Sequence, residues 1–388
     1  MSVPPIHLVP DSFAVAMEAG LAPAPWRAGE MVRGEIVGTE GAVTVLRVDG
    51  VAVAANAVVS PAIPARFEAL VVSGGPRPVL EIIADGVHGQ SPYAEVLHSR
   101  LAQQDGIQPL LADLQAVATF SGLGALTEPL RIALSRLEGS VASRDDLLDP
   151  DLIHDALQRS GVQLEHLLAN LAGSAGGVAK TTIEYDFKGA LERLIAVLPQ
   201  PTDTGDLPPG ALPALTDLPL QAQPRAAVST PNADLAVVLA GMATHARAAH
   251  ARIELMQADA ASTHPPFACM GEIPVRGRGG FDVLQVRVQP NGTNEEALPP
   301  ELREWVLEFT FAPPELGTVQ GQITLCNVHA AIDLWAERDR TLVALEEQAD
   351  ALLELLRVSG VIGPEVRVHH GLPARHTGFE RRIVDTTI

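Results

Sequence analysis

Proline is what most limits the folds open to this chain, through a run of eight prolines between residues 199 and 231. Proline fixes φ near about −65° and removes a backbone donor, so helix interiors and central strands exclude it. The run therefore predicts an extended linker over 199–231 with local polyproline geometry. On either side of it the hydrophobic period changes, and those changes mark out modules.

Residues 27–88 read as β. Short runs rich in Val and Ile, at Met31–Gly38, Ala42–Val48, Val51–Val58, Phe67–Val72 and Val79–Ile83, predict five strands. Asp49-Gly50 lies between two of them and predicts a type I′ hairpin, whose central residues both need positive φ. A small β-barrel, OB-like or SH3-like, is the simplest closure. An OB-fold that binds oligonucleotides needs basic and aromatic strand residues. Here Arg33 and Arg47 are too few and Phe67 is the sole aromatic on the strands. The whole chain has 27 basic and 47 acidic residues, a net charge of −20, which argues against a phosphate-binding surface.

Residues 89–198 change to a helical period. Leu110, Leu111, Leu114 and Val117 recur at that spacing, as do Leu130, Leu134 and Leu137, then Leu164, Leu167, Leu168 and Leu171. Asp149-Pro150-Asp151 predicts a helix start, and Ala190–Leu198 a short helix ended by Pro199. Beyond the proline run, 232–267 carries one long helix over Asn232–Ala261. From 268 to 374 the β pattern returns. Trp305, Leu307, Phe309 and Phe311 fall on one face of a strand, with Glu308 and Thr310 on the other. Strands through Val319–Leu325 and Ala330–Leu334 follow. A helix over Arg340–Ser359 has Leu342, Leu345, Ala349, Leu352 and Leu356 on one stripe and Gly360 as its cap. Val366 and Val368 mark a last strand. The order is a β-β-β-α-β domain, one helix covering a sheet face. The chain as a whole reads as multidomain α+β, with an N-terminal segment (1–26) and a flexible polar tail (375–388).

Aromatics make up only 4% of the chain, so the cores rest on Leu, Val, Ile and Ala, while 47% hydrophobic residues exclude a disordered acidic tail. Residues 1–10 lack the basic start and apolar stretch of a cleavable signal peptide. The longest apolar run, around Leu235–Ala243, is about half of a bilayer span, so no membrane insertion is expected.

Chemistry-bearing motifs are sparse. Gly173 to Thr182, with Lys180, imitates a phosphate loop, but Ser174 and Ala179 occupy the two positions where glycine is required. Arg276-Gly277-Arg278-Gly279-Gly280 offers an anion loop or, as the better reading, a tight turn. His245 and His250 are five apart and point to different helix faces; adjacent His369 and His370 point to opposite faces of a strand. Asp145, Asp146, Asp149 and Asp151 fail the calcium-loop pattern at Leu147 and suit helix capping. Cys269 and Cys326 form no zinc set and read as buried free thiols. No catalytic, metal or cofactor set is expected.

The stretch from Glu304 to Gly371 resembles the C-terminal domain of the flagellar hook-length control (FliK) family. The residues that carry the likeness are Trp305–Phe311, Pro314-Glu315-Leu316-Gly317-Thr318-Val319, Ile332-Asp333-Leu334-Trp335-Ala336-Glu337-Arg338, the Leu345–Leu356 helix and Ser359-Gly360-Val361. Glu272-Ile273-Pro274-Val275 and Ser160-Gly161-Val162-Gln163-Leu164-Glu165 look like longer members of that family. Gly321 departs from the pattern, where an apolar residue is common, and the N-terminal half departs from the disordered rulers by reading as folded.

The resemblance implies a non-enzymatic switch. It is held in the cytoplasm, then exported through the flagellar type III channel, and turns export from hook to filament subunits. The cytoplasmic domain of the export-gate protein (FlhB) is the implied partner, with hook and hook-cap proteins as further candidates. By position, Pro314, Leu316, Gly317, Val319, Ile323 and Leu325 would form a recognition hairpin, supported by Leu345, Leu352 and Leu356. The same apolar residues also suit the core of any small α+β domain. At roughly 3.4 Å per residue the extended chain reaches about 1,300 Å, so acting as a ruler requires the N-terminal modules to unfold. Two other readings are a regulator of a non-flagellar secretion needle and a cytosolic nucleotide- or anion-binding protein that uses Lys180 or the Arg276–Gly280 loop.

Overall fold

The computed structural model describes residues 6–7, 26–27, 29–40, 43–55, 66–73, 79–83, 96, 99–119, 126–173, 183–199, 211–216, 218–228, 234–262, 269–291 and 303–373. The chain divides into two compact units, Met1–Asp105 with Gly205–Pro213, and Gly106–Thr204 with Ala214–Ile388.

The first unit is an antiparallel sheet of β1 (Ile6–His7), β2 (Met31–Glu40), β3 (Val43–Val48), β4 (Val51–Ala55), β5 (Arg66–Ser73) and β6 (Val79–Ile83), in the order β1-β6-β5-β2-β3-β4. The β3–β4 hairpin turns at Asp49 (φ 45°) and Gly50 (φ 84°), the positive φ pair that the sequence predicts. The Asp49 carboxylate accepts from Arg33 N at 3.0 Å, which braces the hairpin on β2. Among the described residues, Trp26, Val32, Leu46, Val48, Phe67, Ala69, Val71 and Leu80 form its core. The expected OB- or SH3-like barrel is not formed among the described residues. Closure requires the terminal strands to pair, but β4 pairs with β3 and the two-residue β1 with β6, at opposite ends of the sheet.

The second unit joins a helical layer to a seven-stranded mixed sheet. Its helices are α1 (Gln108–Thr119), α2 (Glu128–Gly139), α3 (Pro150–Gln158), α4 (Leu164–Gly173), α5 (Phe187–Val197), α6 (Leu235–Ser262) and α7 (Asp339–Val358). Its strands are β7 (Ala142–Ser143), β8 (Cys269–Gly277), β9 (Gly280–Pro290), β10 (Glu304–Phe311), β11 (Val319–Cys326), β12 (His329–Ala336) and β13 (Glu365–His370), in the order β13-β12-β11-β10-β9-β8-β7. The pairs β7–β8 and β12–β13 are parallel and the others antiparallel. This sheet is wider than the β-β-β-α-β layer expected over 268–374: β8 and β9 precede the three-strand meander, and residues 142–143 add a strand from the helical region.

Local chemistry sets the helix ends. Asp149 caps α3, its carboxylate accepting from Asp151 N at 2.9 Å, with Pro150 in the first turn. After α7, Gly360 takes φ 93° and Val361 N donates to Leu356 O at 3.0 Å, a Schellman-type stop.

One sheet face is covered by α1 and α6, with α5 packed on α6 and α2 on α5. Leu111, Leu137, Leu191, Met242 and Ile253 pack there with Met270 of β8 and Val283 of β9. Arg252 of α6 and Glu272 of β8 meet in that layer, both fully buried, in a bidentate pair with N–O distances of 2.8 Å. Glu272 also accepts from Gln223 (2.7 Å) and Gln285 (2.8 Å), and Gln223 accepts from the Ile107 backbone N–H, just before α1, at 2.7 Å. A buried charge pair holds only when its remaining valences are filled, and these glutamines fill them.

The stretch read as a linker is instead packed where it is described. Ala214, Leu215, Leu218 and Leu220 are buried. Arg287 donates to the Thr216 and Leu218 carbonyls at 2.7 and 2.6 Å, and Asp259 accepts from Thr216 N at 2.7 Å. Prolines remove ladder hydrogen bonds, and here side chains of β9 and α6 replace them. No described helix is long and apolar enough to cross a membrane.

Candidate partner-binding surface

Alternation along β10 puts Trp305, Leu307, Phe309 and Phe311 on the sheet face opposite the helical layer. Register sets them beside Leu325, Ile323, Gly321 and Val319 of β11. On its other side Gly321 pairs with Leu334 of β12. Phe309 lies over Gly321, and a Cβ there would overlap its ring. The family departure at Gly321 thus has a packing cause. Gly34 and Phe67 repeat the device across β2 and β5 of the first unit.

Two helices share this face. Leu157 of α3 lies near Gly271 of β8, and Ala156 packs with Ile273 and Val275. At the other side α7 packs on β12 and β13. His370 Nε2 lies 2.9 Å from Asp339 Oδ1 at the exposed start of α7, on the face where Ile332 and Ala336 are buried. The connection is a β-α-β crossover between parallel strands.

The nine residues offered by the sequence do not gather at one point. Pro314 and Leu316 are exposed in the β10–β11 turn, whereas Gly317 and Val319 are buried. The turn is clamped from the β12–α7 corner. Arg338 Nη1 donates to the Pro314 carbonyl and Thr341 Oγ1 to the Leu316 carbonyl, both at 2.6 Å, and Arg340 donates to the Glu315 carbonyl. Gly317 takes φ 75° beneath the Arg338 side chain, so the expected left-handed turn is present and no Cβ fits. Glu337 accepts from Thr318 N at 3.2 Å, and its hydrogen bonds to Thr318 lower its pKa. Ile323, Leu345, Leu352 and Leu356 are half-buried. Leu325 is exposed at the far end of β11, about 20 Å from Val319 at roughly 3.3 Å per residue. There Ile362 N donates to the Val328 carbonyl at 2.7 Å.

The other motifs have structural roles. The Arg276–Gly280 stretch is the β8–β9 turn; its Arg278 carbonyl accepts from Arg225 (2.9 Å) and its Gly279 carbonyl from Gln115 (3.2 Å). Arg225 also forks onto Asp282 at 2.6 and 2.7 Å, which raises its pKa. His245 pairs with Asp113 (2.6 Å), and His250 lies 3.4 Å from Glu192. His369 stacks on Trp335 and meets Asp333 at 2.9 Å. Asp146 accepts from Ser143 N at 2.7 Å, the capping role expected of that cluster. Cys269 and Cys326 are free thiols, and burial raises the pKa of Cys269. No group of three or more His, Cys, Asp or Glu suited to a metal occurs among the described residues. Lys180 and residues 174–182 lie outside the described residues, as does the 375–388 tail.

Residues 294–376 match the family model described as flagellar hook-length control protein FliK. The chain carries a domain of that family. The match spans β10 through β13 with α7. No curated protein and no solved structure matches the chain.

Within the hook-length control domain, sequence reasoning assigned no site role to Trp305, Leu307 and Phe309. Their alternation was visible, but it shows only that they share a face, not that the face stays partly open. All four apolar side chains on this face of β10 remain partly exposed, while Val306 and Thr310 on its other face are buried.

Proposed function

We propose that this chain controls flagellar hook length and switches export from hook to filament subunits, and that it is itself exported through the flagellar type III channel. The observation that carries the reading is the family match over 294–376. In this reading the hook-length control domain contacts the cytoplasmic domain of the export-gate protein (FlhB), while the N-terminal portion samples length. Hook and hook-cap proteins are further partners.

Two structural features support it. The exposed Pro314-Glu315-Leu316 turn is held rigid by Arg338, Arg340 and Thr341, so a partner meets a preformed shape and little ordering entropy opposes binding. The core that the described residues of the first unit form is small, which suits a segment that must unfold to pass a channel.

Titration of the full chain with the export gate's cytoplasmic domain tests the reading. Weak, rapidly reversible binding is expected, reduced by Leu316→Glu in the exposed turn. Absence of binding, or binding indifferent to the turn, would argue against contact at this domain. The full chain is required: a fragment starting at 268 would separate Glu272 from Arg252.

A further inference from the structure

We infer that the outer edge of β13 takes an extended, amphipathic segment of a partner protein as a further strand of the second unit's sheet. The inference deepens the partner contact proposed above, and rests on that reading only for the identity of the protein that supplies the strand.

The backbone at this edge specifies the occupant. β13 ends the sheet order, and among the described residues only β12 pairs with it, in parallel and without a register shift over Glu365–His370. Gly371 N donates to the Ala336 carbonyl at 2.8 Å, which fixes the alternation. Arg367 and His369 therefore also bond inward, while Val366, Val368 and His370 turn their N–H and C=O groups outward. The outward groups recur about every 6.6 Å, two residues at roughly 3.3 Å each. A second extended backbone offers the complementary donors and acceptors at that repeat, whereas a helix bonds its own groups internally.

The edge is also left unguarded. Proteins blunt an edge with a very short strand, a bulge or a charged side chain held over it. At the opposite edge of this sheet β7 has only two residues. β13 has six and no bulge, and its polar side chains lean back over the sheet. Arg367 Nε lies 3.0 Å and His369 Nε2 2.9 Å from the same Asp333 oxygen on β12, and His369 stacks on Trp335 of that strand. His370 is drawn to Asp339 of α7. The two faces then set the side chains of the incoming segment. Val366 and Val368 are half-buried on the face that carries Ile332 and Leu334, while Glu365, Arg367 and His369 line the other. A segment with apolar residues on the first side and polar residues on the second continues both faces.

The test uses the full chain and a labelled peptide of alternating valine and threonine with a lysine at each end. A second peptide of the same sequence is N-methylated throughout, which removes its donors and keeps its side chains. Hydrogen exchange resolved to single amides should find Val366, Val368 and His370 fast in the chain alone and Arg367, His369 and Gly371 slow. The first peptide should slow the fast set, and by fluorescence anisotropy the methylated peptide should bind about tenfold or more weakly. Val368→Pro removes one outward N–H and no bond to β12, so it should keep the circular dichroism of the natural chain and weaken the first peptide about tenfold or more. Val366→Pro repeats the measurement at the next outward position. No binding, binding indifferent to N-methylation, or binding that both proline variants retain overturns the inference. Slow exchange of Val366, Val368 and His370 in the chain alone also overturns it, because the chain would then fill its own edge. Export-gate binding that both proline variants leave unchanged would sink the edge and leave the proposed function standing. Peptide pairing at the edge without export-gate binding would do the reverse.

Discussion

Asp186 offers a quantitative test of the second unit. It caps α5 by accepting from Gly189 N at 2.9 Å, and its second oxygen is buried without a partner. Burial, reinforced by the charge of Glu165, raises its pKa from 3.8 to about 6, against the opposing hydrogen bonds from Gly189 and Lys188. At about 1.4 kcal/mol per pH unit, the folded state's preference for the neutral acid is about 3 kcal/mol. The sign is set by linkage. Because the folded value is the higher one, the stabilising contribution is complete below pH 3.8 and lost as pH rises through about 6. Asp186→Asn keeps the cap and cannot ionise, so the variant should gain on the natural protein as pH rises. The difference in unfolding free energy should grow by about 1.4 kcal/mol between pH 5 and pH 8. Any fixed cost of the amide cancels in that comparison. Guanidinium unfolding followed by circular dichroism at both pH values measures it. A difference that stays constant, or moves toward the natural protein, refutes the reasoning.

Other perturbations follow from the packing. Glu272→Gln removes the carboxylate charge that faces buried Arg252 and should cost about 3–5 kcal/mol by denaturant unfolding, with Arg252→Met in the same chain recovering much of it. Gly321→Val displaces the Phe309 ring and should cost about 1–3 kcal/mol, whereas Gly321→Val with Phe309→Ala should be milder than the sum of the two. Arg287→Ala frees the Thr216 and Leu218 carbonyls, and limited proteolysis should then cut faster within 211–228.

Much of this fold was legible because periodicity is a local signal. The strands of both units and the α7 stripe lie close to where alternation and helical spacing put them, and Asp49-Gly50 turns as its φ demands require. Closure of the first sheet was not legible, since pairing between terminal strands is a long-range outcome that no window of sequence records. The proline-rich stretch misled for a physical reason. Prolines forbid regular structure but not burial, and Arg287 and Asp259 satisfy its backbone from other elements. Arg252 gave no warning either, because the carboxylate it needs lies twenty residues on in another element. At the candidate surface the residue types were readable. Which of them stay open was not, because the helices that cover β8, β12 and β13 decide it from outside the local pattern.

The most direct measurement of the central claim is electron microscopy of flagella from the source bacterium carrying a chain with residues 304–371 deleted. The account predicts overlong hooks without filaments, while the truncated protein still reaches the medium. Hooks of normal length bearing filaments would contradict it.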